Sequence, residues 1–334
     1  MSILAQLEGF QNPALTETIN RVPVSPTYIG QRFLPLVPTY DLDFFETSIL
    51  ERLDMAPLVD PSAELPLTDR DGGKKVAGEV ADMGQQVIVT KKELRALKSN
   101  NPAERQLMEA QLLSKAVTLK KNVDARIEWM RWQALGIGAM AYVGNKLKLN
   151  IDFGVPADNK VTPDTKWDQN GATIFSNYVA WVEAYKALNG VPPTAAVTSS
   201  TVINKMKADA TVRLNIKGSS DMLVTTAELN QFLRDEGLPP VEAYDEAAII
   251  RNPNDGSRTT SRFLDAKKLV FLREGGDIGQ QLLGPTLEND MNPGVFGKTI
   301  ATEIPVTMEI IRVVASSIPK IMVPEMIMIA TVLT

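Results

Sequence analysis

The chain has 334 residues, with 35 basic and 40 acidic side chains, a net charge of −5, and neither cysteine nor histidine. This rules out disulfides, thiolate nucleophiles, thiolate metal sites and any serine–histidine–aspartate triad, and removes the commonest general base. A protein specialised in tight nucleic-acid binding needs a basic surplus that is missing here, although weak contact through a local basic patch stays open.

In chain order, Met1–Phe10 has neither a basic stretch nor an apolar run, so no signal peptide is expected. Residues 1–40 carry Pro13, Pro23, Pro26, Pro35 and Pro38, each fixing φ and removing a backbone donor. A short helix over Pro13–Asn20 and then an extended arm is the expected shape. Ile19, Tyr28, Ile29, Phe33 and Leu34 give that arm apolar surface that needs covering. Strand-like runs at Tyr40–Ile49 and Gln85–Thr90 flank a proline- and glycine-rich middle, predicting a long two-stranded excursion with its tip near Asp69–Lys75. Such a ribbon is marginal alone in water, so a neighbouring subunit is its expected support.

The chain is organised around Asn101–Leu135. Asn101 suits a helix N-cap, Pro102 the first helical position, and Glu104 something close to a capping box. Leu112, Ala116, Leu119, Val123, Ile127, Met130 and Ala134 make one continuous apolar stripe on a rod roughly 50 Å long. Lys121 with Asp124 and Glu128 with Arg131 are expected as pairs on the other face. Gly136 and Gly138 then release the helix, and Lys146–Phe153 alternates like an edge strand. Helices follow at Ala172–Leu188, Ser200–Ala208 and after the capping box Thr225–Glu228, with strands at Ala195–Thr198, Val241–Tyr244, Ala247–Arg251 and Lys268–Leu272. Asn254-Asp255-Gly256 reads as a hairpin turn. This alternation predicts an α/β domain over about 165–285. Strand-like runs at 303–315 and 320–333 close the chain, split by Pro319.

No stretch carries convincing chemistry. Asn292–Thr299 ends in Gly-Lys-Thr like a phosphate-binding loop, yet its first position is Asn292 and the residues after it read as strand. Asp71–Lys75 reads as a solvated hairpin tip, and Arg70, Lys74 and Lys75 with Glu79 and Asp82 give that tip mixed charge. Glu242, Asp245 and Glu246 lack the glycine-punctuated spacing of a cation loop. Trp129 and Trp132 are expected to pack, and Met322, Met326 and Met328 to be core. No catalytic, cofactor-binding or metal-binding residue is expected, and no cofactor.

The order of parts resembles the tailed-bacteriophage major capsid protein, specifically the lambda-type capsid protein E family. The resemblance rests on the Asn101-Pro102 start and Ala125–Leu135 end of the long helix, on Glu236-Gly237-Leu238-Pro239-Pro240-Val241-Glu242-Ala243-Tyr244-Asp245, and on Lys268 to Gly284-Pro285-Thr286. It implies an α+β tailed-phage major capsid fold: an N-terminal arm (1–40), an extended β-hairpin loop (41–98), a peripheral domain with the spine helix (99–159 and 303–315) and an axial α/β domain (160–302 and 316–334). It also implies a non-enzyme that assembles with itself into pentamers and hexamers, forming an icosahedral head around double-stranded DNA. Scaffolding, decoration and portal proteins are the implied further partners, DNA is held weakly without sequence specificity, and no membrane is involved. The implied place is the virion, after assembly in the host cytoplasm. The alternatives are an encapsulin-like compartment, a carboxylate-dependent enzyme using Asp245 and Glu246, and an ATPase using Lys298.

Overall fold

The computed structural model describes residues 3–41, 43–47, 75–79, 81–144, 147–251, 257–275, 278–302 and 308–334. Helix α1 (Asn12–Asn20) has a proline in its first turn and buries Leu15 and Ile19. After strand β1 (Leu36–Pro38), β2 (Asp43–Thr47) and β3 (Lys75–Glu79) pair antiparallel, Asp43 opposite Glu79. The tip expected near Asp69–Lys75 lies, except for Lys75, outside the described residues, as does the turn at Asn254-Asp255-Gly256. Strand β4 (Ala81–Val89) runs into helix α2 (Lys91–Leu97), which the sequence reading missed although Thr90 and Glu93 form a complete capping box before it.

The spine is α3 (Pro102–Ile137), 36 residues long. The Asn101 side chain caps it by accepting from the Ala103 N–H at 3.0 Å, but Glu104 accepts from the Ser99 hydroxyl at 2.6 Å and so closes no capping box. Gly138 ends the helix in the left-handed region, φ 73, with its N–H on the Ala134 carbonyl. The expected charged outer face is corrected. Lys120 rather than Lys121 pairs with Asp124, and Lys120, Asp124, Glu128 and Arg131 are all buried. From Val123 to Gly136 the buried residues span far more than one stripe, so this half of the rod is covered on most of its faces, with Arg126, Trp129 and Gln133 left as a half-buried strip.

Strands β5 (Ala139–Gly144) and β6 (Leu147–Asp152) form a hairpin that pairs with nothing else among the described residues. Strand β7 (Lys160–Val161), α4 (Ile174–Asn189), β8 (Ala195–Thr198), α5 (Ser200–Ala208), α6 (Ala210–Lys217) and α7 (Thr226–Asp235) follow. The sequence reading did not separate α6, which begins because the Asp209 side chain accepts from the Val212 N–H and caps a new helix. Next come β9 (Val241–Ala243), the hairpin β10 (Ala247–Arg251) and β11 (Arg258–Arg262), and β12 (Lys268–Leu272). The chain ends with β13 (Gly279–Thr286), β14 (Asn292–Pro293), β15 (Phe296–Thr302), β16 (Met308–Ile321) and β17 (Met328–Thr331).

Two larger sheets organise these parts. The sheet of the expected axial domain has the order β7-β17-β12-β8-β9, and α4 to α7 help enclose an aromatic core with Trp167, Tyr178, Trp181, Tyr185 and Phe271. The spine-side sheet is built on β16, with β4 along one edge and β15 then β13 along the other; β1 and β14 join β13. Residues 279–302 and 316–321 thus pair in the spine-side sheet, whereas the sequence division put both stretches in the axial domain.

Pro319 does not split β16 as expected. Opposite it, Gln281 donates its N–H to the Pro35 carbonyl at 2.8 Å, away from β16. Pairing with β4 has already ended at Ser317. The missing proline donor therefore falls where the ladder asks for none.

Candidate assembly site: a buried polar hub and exposed ribbons

The N-terminal segment is part of the core. Leu4, Phe10, Leu15, Ile19, Phe33 and Leu34 are fully buried or nearly so. The buried Glu309 carboxylate accepts from the backbone N–H groups of Ile3 and Leu4, which fixes the start of this segment.

Its other end meets the spine at Glu128, which has no solvent exposure. One carboxylate oxygen of Glu128 accepts from the Gly30 N–H (2.9 Å), the Trp132 indole N–H (2.8 Å) and the Tyr244 hydroxyl (2.8 Å). The other accepts from Arg131 at 3.3 Å. Three donors from three parts of the chain thus converge on a single buried charge, which lets burial proceed without leaving the carboxylate bare. The approach of Gly30 is close: a Cβ there would lie 2.8 Å from the Glu128 carboxylate, so any larger residue would push against the hub's hydrogen-bonded carboxylate. Aromatic rings surround the hub, with Trp132 stacked on Tyr244 at 4.7 Å, Tyr28 edge-on to Phe263 at 5.5 Å and Phe33 edge-on to Trp132 at 6.5 Å.

The titration behaviour follows from this burial. Desolvation, reinforced by Glu128, pushes the Tyr244 hydroxyl far above its ordinary value. Burial raises the Asp124 carboxyl despite its hydrogen bond from Lys120, and burial lowers Arg131 despite Glu128. Beside the hub, Arg32 bridges Glu242 of β9 and Glu274, the latter at 3.4 Å.

The residues singled out in the sequence are put to structural use. Glu242 is held by Arg32, and Asp245 by Arg262 and the Ser200 N–H. Burial would raise the Asp245 carboxyl, but these bonds outweigh it and hold it below its ordinary value. No group of three or more acidic side chains placed to hold a metal ion occurs among the described residues. The Gly-Lys-Thr stretch lies in β15, paired through Lys298 to Arg312, with Gly297 against Leu15 and Ile19 of α1 and the Thr299 N–H on Asn12. Its backbone is spent on the sheet and on α1, which leaves no anion cradle. Trp132 packs as expected, while Trp129 is half-buried beside Tyr142 under the Arg126 guanidinium. Met328 is core, whereas Met322 and Met326 are half-buried. The sequence reading missed the hub, although two tryptophans beside Glu128 and Arg131 gave a signal that the charged side of the rod is not free.

Some apolar side chains stay exposed: Val143 at the end of β5 (79%), Ile249 on β10 (67%), Leu223 before α7 (79%) and Leu287 after β13 (84%), although β5 and β6 also bury Met140 and Ile151 in the core. No helix among the described residues is long and apolar enough to cross a membrane.

The fold is that of phage capsid proteins. A crystal structure assigned as the capsid protein of a prophage of E. coli CFT073 superposes with a TM-score of 0.62 at 14% identity, covering 96% of this chain and 98% of that one. A phage-related protein from Bordetella bronchiseptica RB50 gives 0.60 at 10% identity, covering 96% of each chain. No curated protein matches the sequence. The family model of phage major capsid protein E matches residues 13–310, from α1 into β16. The chain therefore belongs to the phage major capsid protein E family: it is a virion protein that builds an icosahedral shell, and not an enzyme.

Proposed function

We propose that the subunit forms pentamers and hexamers, and that these close the head around double-stranded DNA with scaffolding, decoration and portal proteins as partners in the host cytoplasm. Residues 1–40 act as the N-terminal arm and 41–98 as the extended loop, of which the β2–β3 part is laid on a neighbour while β4 and α2 stay on their own subunit. The spine with the β16 sheet acts as the peripheral domain, and the unit around the axial sheet as the part nearest the symmetry axes. The observation that carries this reading is the pair of ribbons, β5–β6 and β10–β11, each two-stranded among the described residues and each with exposed apolar side chains. A two-stranded ribbon gains stability by lying on another surface, and in a shell that surface is another copy.

The test is sedimentation with negative-stain imaging of the purified chain across a range of salt. Five- and six-membered rings or closed particles are expected. A strict monomer that stays dispersed even with the phage's other head proteins would overturn the reading.

A further inference from the structure

The charge is unevenly placed. Residues 91–121 carry eight basic and three acidic side chains, a local +5 within a chain of net −5, leaving −10 for the remainder. Part of that surplus stands on α2. Leu94 and Leu97 are buried and face inward. At about 100° per residue, Lys91, Arg95 and Lys98 share the stripe beside them, and Lys92 extends it outward. All four are exposed, and none makes an ion pair or side-chain hydrogen bond with a described residue. The one acidic residue of the helix, Glu93, lies on the opposite flank, held by Lys115 on α3 at 2.5 Å and by the Thr90 cap. The result is a contiguous cationic flank with no counter-charge of its own and no exposed large apolar residue on α2 itself.

We infer that this flank is where the subunit touches packaged double-stranded DNA, through phosphates and without base recognition; the inference rests on the shell reading above. A protein partner would be expected to find an apolar centre with a polar rim, and the flank offers only charge on aliphatic stems. A phosphate backbone needs no more than that, since point charges at a fixed spacing release its counterions. The acidic remainder of the chain keeps the contact local and weak, as a genome that must later leave requires.

The experiment titrates the purified subunit with a labelled linear duplex of about 30 base pairs between about 50 and 200 mM salt. Four phosphate contacts predict a slope of log K against log salt of about −3 to −4. The fourfold variant Lys91→Gln, Lys92→Gln, Arg95→Gln, Lys98→Gln should bind at least about tenfold more weakly and lose most of that slope, while Arg95→Gln alone reduces it by about one. Lys205→Gln with Lys207→Gln, on α5, should leave binding unchanged. Equal binding by the wild type and the fourfold variant overturns the assignment. So does a polyglutamate probe that binds the flank as tightly as the duplex, which would make an acidic protein segment its occupant. Particle formation is read in parallel. Loss of DNA binding with particles intact supports the flank, whereas failure of the wild type to form particles with the other head proteins counts against the shell reading and leaves the DNA result standing.

Discussion

The axial unit and the spine region are stabilised in different ways. The axial core draws on residues between Val161 and Leu333, and three of its four helices, α5 to α7, carry their own start signals: Ser199, Asp209 and the Thr225–Glu228 box. The spine region is assembled from stretches far apart in the chain, since Glu309 holds Ile3 and Leu4, α1 lies on β15, and Glu128 gathers Gly30, Trp132 and Tyr244. Local signals start the helices of the first unit, although its sheet still joins β7 to the C-terminal β17. The second depends on long-range closure and on a buried charge with no slack in its partners, so disturbance of one segment reaches the others.

The sharpest way to break this comparison is at the hub. Glu128→Ala leaves the Gly30 N–H, the indole of Trp132 and the Tyr244 hydroxyl without an acceptor and Arg131 buried without its counter-charge. A loss of about 3–5 kcal/mol is expected. Hydrogen exchange should report it first as lost protection over 28–34 and α3, with α4 to α7 much less affected. Uniform loss across both units would mean that they unfold as one.

A second test asks whether the N-terminal segment is structural or merely attached. Leu15 is fully buried between α1 and β15. Leu15→Ala should therefore cost about 2–5 kcal/mol by denaturant titration. A cost within about 0.5 kcal/mol, the range of ordinary surface substitutions, would place α1 outside the cooperative core.

The smallest expected effect is axial and depends on pH. Bonds from Lys217 and from the Thr225 cap lower the Glu228 carboxyl from 4.5 to about 2. A carboxyl depressed on folding stabilises the folded state above its unfolded value, and that contribution fades as pH falls through the folded one. Thr225→Ala should cost about 1 kcal/mol near neutrality, as loss of an N-cap does. The difference in Tm between Glu228→Gln and the parent should shrink between pH 5 and about 2. A difference that stays constant over that range would show that the carboxylate charge is not what the cap uses.

Much of this was legible in the sequence. Asn101-Pro102 and Gly138 bracket the spine, Thr225–Glu228 opens α7, and the alternation after residue 165 yields the axial sheet, because caps and apolar periods are decided within a few residues. Helix α2 was equally legible, through Thr90 and Glu93, and was passed over. Only the tertiary structure decided that Glu128 and Arg131 point inward, since spacing along a helix cannot say how many of its faces are covered. The same holds for Pro319, which stays in β16 because the pairing with β4 ends at Ser317, and for residues 279–302, whose sheet is fixed by strands contributed from 36–38 and 308–321. Sequence set the elements because their hydrogen bonds and caps are local. Tertiary structure set their surroundings, because burial depends on partners far away in the chain, as with Leu4 and Glu309, 305 residues apart.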